Sequence, residues 1–150
     1  MPFKYYGGVH PDYAKTASKT PVRTISPPSV VVLPMIQQIG APNKPIVSVG
    51  DTVKMGQLIG TNDAPVSAPV HASVSGKVIA VEPRRHMLGD MVMSVVIEND
   101  FQDTPCEDMK PLTAEQLKDP DAIIARIREA GVVGMGGAMF PTAFKIQGAR

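Results

Sequence analysis

Thiol chemistry is almost absent from the chain: Cys106 is the one cysteine among 150 residues. A single thiol excludes an intramolecular disulfide, a CxxC zinc site and a cysteine-ligated iron–sulfur cluster within these residues. His10, His71 and His86 lie far apart and lack metal-ligand spacing such as HExxH. Tryptophan is missing and aromatic residues make up 5%. No run approaches the roughly 20 apolar residues that cross a bilayer. The opening Met1-Pro2-Phe3-Lys4-Tyr5-Tyr6-Gly7-Gly8 has no apolar stretch of a signal peptide. Charge of one sign is lacking too: 15 Lys+Arg stand against 14 Asp+Glu, for a net charge of +1. Without surplus cations there is no counterion-release drive toward nucleic acid. These absences predict a soluble, cytoplasmic chain with no membrane span and no nucleic-acid partner.

What is abundant is punctuation. Fifteen prolines and 13 glycines divide a chain that is 43% hydrophobic, enough for a core, and they favour short strands over a helix bundle. Residues 1–28, with the early turn Gly7-Gly8-Val9-His10-Pro11, read as an extended lead-in. Between residues 29 and 100 the pattern is β. Strand candidates are Val30-Val31-Val32-Leu33, Pro45-Ile46-Val47-Ser48-Val49, Gln57-Leu58-Ile59, Lys77-Val78-Ile79-Ala80-Val81 and Met91 through Ile97. Turn chemistry separates them at Gly50-Asp51, Gly56, Asn62-Asp63, Ser75-Gly76 and Gly89-Asp90. Strands this short and this close imply a small sandwich or barrel. Pro83-Arg84-Arg85-His86 is expected as an exposed basic hairpin tip, and His71 as a hydrogen-bonded structural residue.

After residue 100 the pattern changes. Residues 101–118 read as an acidic, proline-containing linker with a short helix, and Cys106 within it as a free thiol. Thr113 and Gln116 have the spacing of a reciprocal capping box. Asp119-Pro120 restarts a helix, with Asp119 as N-cap and Pro120 in the first turn. Ile123, Ile124 and Ile127 form its apolar stripe, and Gly131 ends it. A second short amphipathic stretch runs from Phe140 to Lys145. Too few apolar residues follow Asp119 for a second core, so residues 119–150 are expected to open a domain that continues further.

Two passages carry functional information. Val49-Gly50-Asp51-Thr52-Val53-Lys54-Met55-Gly56-Gln57-Leu58-Ile59 makes two reversals, with Val53 and Leu58 expected inward. It resembles the G-D-x-V-x-x-G-Q-x-L corner of biotinyl/lipoyl-type barrel-sandwich domains, and Ala68-Pro69-Val70-His71 through Gly76-Lys77-Val78 resembles their A-P-x-x-G-x-V passage. The resemblance implies a mainly β, lipoyl/biotinyl-like barrel-sandwich hybrid over residues 29–100, with a short α-helical extension after it. Carrier domains hold biotin or lipoate on a hairpin-tip lysine. Gly60-Thr61-Asn62-Asp63-Ala64-Pro65-Val66-Ser67 has none, so neither group is expected.

The second passage runs from Gly131 to Lys145. It fits neither a Rossmann fingerprint, since a helix precedes it and Met139 takes the last glycine position, nor a Walker A loop. Gly134, Gly136 and Gly137 let backbone N–H groups approach an anionic or flat ligand, with Phe140 beside a ring and Lys145 at a phosphate. The bland alternative is a glycine-rich connection between two helices. Gly-x-Gly-Gly-Ala-x-Phe-Pro-Thr-x-x-Lys resembles the FMN- and NADH-binding loop of the flavoprotein subunit of respiratory NADH dehydrogenase. Together with a sandwich that lacks the hairpin-tip lysine, and with Gly7-Gly8-Val9-His10-Pro11, it is similar to the family of the C subunit of the Rnf electron-transport complex.

That resemblance implies a structural, redox-silent N-terminal part of an NADH/ferredoxin oxidoreductase subunit. Gly134, Gly136, Gly137, Ala138, Phe140 and Lys145 would touch FMN and NADH, and no catalytic or metal-ligating residue is assigned. Clusters of the 4Fe-4S type would belong to a cysteine-rich segment outside these residues. The partners would be other subunits of a membrane electron-transport complex, and the location peripheral, on the inner face of the cell membrane. Met135 and Met139 depart from the pattern, standing where that loop often has Arg and Gly. The alternative is a stand-alone lipoyl-like assembly module that holds protein partners.

Overall fold

The computed structural model describes residues 7–8 and 12–149. Val9, His10 and Pro11 of the early turn lie outside the described residues. Among the described residues seven strands form: β1 (Val30–Pro34), β2 (Lys44–Pro45), β3 (Thr52–Val53), β4 (Leu58–Thr61), β5 (Val70–His71), β6 (Gly76–Arg85) and β7 (Met91–Asn99). They pair antiparallel into a four-stranded sheet, β1-β7-β6-β3, and a three-stranded one, β2-β4-β5. Between the sheets lies a core of Met35, Val53, Ile59, Val70, Ala72, Val78, Val95 and Ile97. The expected β sandwich is what the residues build.

The double corner explains how such short strands hold together. The Ser48 N–H donates to the Asp51 carboxylate at 2.8 Å, closing the first reversal. Gly50 N–H donates to Val78 O, and Val78 N–H to Asp51 O, both at 2.8 Å, so the corner is bonded to β6. The second reversal closes through Gln57, whose side-chain oxygen accepts from Lys54 N–H at 2.9 Å. Val53 is buried, as its place in the motif requires. Leu58, expected inward, is 38% exposed, while Ile59 is fully buried. A register shift between Leu58 and Gly60 against β5 accounts for the exchange, since one residue of slip turns a strand over. Gly76 opens β6 at φ +152°, where a Cβ would run into the Glu98 carbonyl oxygen.

Two local expectations are corrected. Of the alternating run Pro45–Val49 only Pro45 lies in a ladder strand, opposite Gly60, and one further bond, Ile46 N–H to Ile59 O at 2.9 Å, follows it before the chain turns away. Pro83-Arg84-Arg85-His86 is no hairpin tip: β6 continues through Arg85, paired with Met91, and the tip lies at residues 86–90. Proline is tolerated there because β3 covers only the Gly76–Lys77 end of β6, leaving an open edge. The tip itself carries Met87 and Leu88, both almost fully exposed.

Beyond β7 the chain forms a single 3₁₀ turn (Gln116–Lys118) and two helices, α1 (Pro120–Glu129) and α2 (Thr142–Gln147). The capping box is reciprocal: Thr113 N–H donates to Gln116 Oε1 at 2.9 Å, and Gln116 N–H to Thr113 Oγ1 at 3.3 Å. Asp119 accepts from Asp121 N–H at 2.9 Å and Pro120 begins the helix, satisfying an otherwise orphan donor. Ile124 is the buried member of the α1 stripe and Ala143 that of α2.

Candidate functional site

The stretch between β7 and α1 is laid along the sandwich corner. Met55 N–H donates to Thr104 O at 2.9 Å and Cys106 N–H to Met55 O at 2.8 Å, a short parallel bridge. Ser75 Oγ–H donates to Asp100 Oδ1 at 2.7 Å and accepts from Thr104 N–H at 2.9 Å. The Ser75 hydroxyl, then the Gln102 amide, hold the Asp100 carboxyl below its ordinary range. Lys54 and Glu107 meet at 2.7 Å, which raises the Lys54 pKa and lowers that of Glu107; both groups are exposed, so the pair adds little.

This strap walls an open groove of about 970 Å³. The opposite wall is the lysine-free hairpin, with Asn62 and Asp63, and α1 closes the end with Arg126 and Arg128. His71 and Cys106 also face it. His71 is half-buried, its pKa lowered by desolvation, and no hydrogen bond to its ring exists among the described residues. Packing, not the expected hydrogen bond, places it. The groove had no signal in the sequence, because its walls come from three segments tens of residues apart.

The predicted glycine-loop residues lie elsewhere, between α1 and α2. Gly131 ends α1 at φ +66°. The loop then closes on itself: Gly134 N–H donates to Phe140 O and Thr142 N–H to Val132 O, both at 3.0 Å. The ring pair Phe140–Phe144 meets edge to face at 5.6 Å. A methyl group on Gly134 would stand 2.9 Å from Lys145 Nζ, so the ammonium lies over that glycine. Gly134, Phe140 and Lys145 are thereby brought together.

Gly136 and Gly137 stand apart from that cluster. Both are exposed, neither has a positive φ, and a Cβ on either would meet nothing within 4 Å. Neither backbone conformation nor packing inside the chain demands glycine there. Ala138 is exposed, and its carbonyl accepts from Ile39 N–H at 2.9 Å. Met139, where the resembling loop often has glycine, takes φ +53°, the left-handed region that glycine fits best.

The chemistry available is that of a bare backbone loop with one cation and one aromatic pair beside it. That set fits a phosphate-bearing, flat cofactor: free amides and an ammonium for the phosphate, ring edges for the ring system, and open space over two glycines. Among the described residues no group of three metal-ligating side chains converges, and no helix is long and apolar enough to cross a membrane.

Residues 3–102 match the RnfC barrel-sandwich hybrid domain. The chain is 50% identical, over 95% of its length, to the C subunit of the Na(+)-translocating ferredoxin:NAD(+) oxidoreductase complex of Acetobacterium woodii, and covers 32% of that protein. It is 42% identical to the C subunit of the proton-translocating ferredoxin:NAD(+) oxidoreductase complex of Clostridium ljungdahlii, covering 31% of it with 95% of the chain. It is 40% identical to the C subunit of the ion-translocating oxidoreductase complex of Serratia proteamaculans, covering 20% of it with 95% of the chain. The chain thus spans a fifth to a third of the relatives it matches. A two-sheet sandwich whose hairpin tip lacks lysine and relatives at this identity lead to one conclusion: the chain belongs to the RnfC family, the C subunits of the Rnf-type ion-translocating oxidoreductase complexes.

Proposed function

We propose that the chain is the structural N-terminal part of an Rnf-type NADH/ferredoxin oxidoreductase subunit, redox-silent alone. Residues 29–100 form its sandwich, 101–118 the connection, and 119–150 the opening of an FMN/NADH-binding domain. The observation that carries this reading is the pair Gly136 and Gly137, side-chain-free in open space with no demand for it inside the chain. A ligand that approaches the backbone closely supplies the missing reason.

In this reading Gly136 and Gly137 offer backbone amides to the cofactor phosphate, while Gly134, its own amide bonded to Phe140 O, leaves room for the Lys145 ammonium above it. Lys145 neutralises its charge, Ala138 keeps the loop narrow, and Phe140 packs beside the ring system. When bound, FMN accepts hydride from NADH and releases single electrons. The protein supplies placement and electrostatics. With one cysteine the residues present cannot ligate a 4Fe-4S cluster, so any such cluster belongs to the longer protein. The names of the relatives, subunits of oxidoreductase complexes that translocate ions, support partners among the other subunits of such a complex; in this reading the chain lies peripherally, on the inner face of the membrane.

The test is an FMN titration followed by flavin fluorescence, on the chain and on a form extended beyond Arg150. Uptake by either, weakened about tenfold or more by Lys145→Ala, is the expected result. A colourless extended protein that stays flavin-free on reconstitution sinks the reading and leaves an assembly module.

A further inference from the structure

The glycine loop does not hang free from its helices; it is docked on the sandwich at two points. The first is the Ile39 N–H to Ala138 O hydrogen bond at 2.9 Å. The second is Gly131, which lies so close to the sandwich that an added Cβ would stand 2.5 Å from Pro69 O and 3.6 Å from His71 Nδ1.

Both docking points trace to one passage of the sandwich. Ile39 sits on a turn, residues 35–43, that is pinned from inside. Buried Asn43 donates through Nδ2 to Ala68 O at 2.8 Å and to Met35 O at 3.3 Å. Buried Gln38 donates to the same Ala68 carbonyl at 3.4 Å. Ala41 N–H adds a bond to Val66 O at 3.0 Å. A buried, satisfied polar network of this kind rigidifies the turn that carries it. So Ala68 fixes the turn that holds Ala138, and its neighbour Pro69 receives Gly131.

We propose that the sandwich is the positioning platform of the flavin loop: Ala68-Pro69, through the 35–43 turn and Gly131, sets the course of Gly136 and Gly137. This rests on the flavin reading of that loop. Ile39 and Gly131 are positioning residues, since nothing of theirs need touch the cofactor. The loop otherwise has few buried contacts, with Met135, Gly136, Gly137 and Ala138 all exposed, and such segments open easily unless tied. A tie that costs nothing at the moment of binding preorganises the site.

Two measurements on the 150-residue chain test this, with Ile39→Pro, which deletes the donor, and Gly131→Ala, which collides with Pro69 O. The first is amide hydrogen exchange without flavin. Gly134 and Thr142, the amides that the loop bonds to itself, are expected to exchange about tenfold faster in both variants, with β6 and β7 protection unchanged. The second is the FMN titration, where affinity is expected to fall about fivefold to tenfold, the scale of one lost hydrogen bond. Met87→Ser, at the distant hairpin tip, is expected to change neither. Unaltered loop exchange in both variants overturns the platform, as does wild-type FMN affinity in variants whose loop has loosened. If the 150-residue chain takes up no flavin, the titration is made on the form extended beyond Arg150; if that form also stays flavin-free, the flavin reading fails and exchange alone decides the tether. If Ile39→Pro disturbs the sandwich, Gly131→Ala decides, because it alters no sandwich residue.

Discussion

The sandwich and the helical extension after it differ in how they are held. The sandwich closes two sheets over eight buried residues, each strand bonded to neighbours by ladder hydrogen bonds. The described part of the extension buries Ile124, Pro141 and Ala143 among its apolar residues, and exposes Leu117, Val132, Met135 and Phe144. It has good caps but little core. Local hydrogen bonding shapes it, and docking on the sandwich keeps it in place. Helices of 10 and 6 residues are marginal alone and take their stability from packing. A rigid module therefore carries a pliable one, and the candidate site lies on the pliable side.

Cutting each core in turn gives the largest contrast. Ile97→Ala removes a fully buried side chain between the sheets and is expected to cost about 2–5 kcal/mol. Urea unfolding followed by far-UV circular dichroism should show the whole transition move. Ile124→Ala, 4% exposed in α1, should instead leave that transition nearly in place while amide protection in residues 120–147 collapses. Equal shifts from both would mean one cooperative unit and erase the distinction.

A smaller effect is expected at the helix start. Asp119→Ala deletes the side chain that accepts from Asp121 N–H, a loss of about 1 kcal/mol of helix stability. Hydrogen exchange of the first turn of α1 should quicken, with β1 to β7 unaffected.

The smallest effect sharpens the seam between the regions. Burial lowers the His71 pKa, so the folded state resists a proton that the unfolded chain accepts near pH 6.5. The contribution is fully present above that pH and is lost as pH falls through 6.5 toward the lower folded value. Carboxylates such as Asp100, whose ordinary value is 3.8, act only in more acid solution. His71→Asn should therefore flatten the melting temperature between pH 7 and 5. An unchanged slope would show that His71 is not the group responsible.

The parts of the fold that could be read from the residues are those whose causes are local. Gly50-Asp51 turns because Asp51 bonds back to Ser48, and Thr113–Gln116 and Asp119–Asp121 are caps complete within four residues. The inward Leu58 and the basic hairpin tip at Pro83 failed because each depends on a strand's partner: a slip against β5 turned Leu58 out, and the ladder with β7 carried β6 through Arg85. For the candidate site, glycine spacing flagged Gly134, Gly136 and Gly137. That Gly134 lies under Lys145 while Gly136 and Gly137 face open space appeared only in three dimensions.

Composition and spacing alone therefore determined the character of each segment: β between residues 29 and 100, helical after 119, no lysine at the hairpin tip and one thiol throughout. Turn and cap chemistry acts over a few residues and is written where it acts. Folding alone decided the strap along Met55, the groove above His71 and the seat of Ala138 on Ile39. Each joins groups between about 50 and 100 residues apart, and such contacts exist only after the two sheets have closed and fixed their distance.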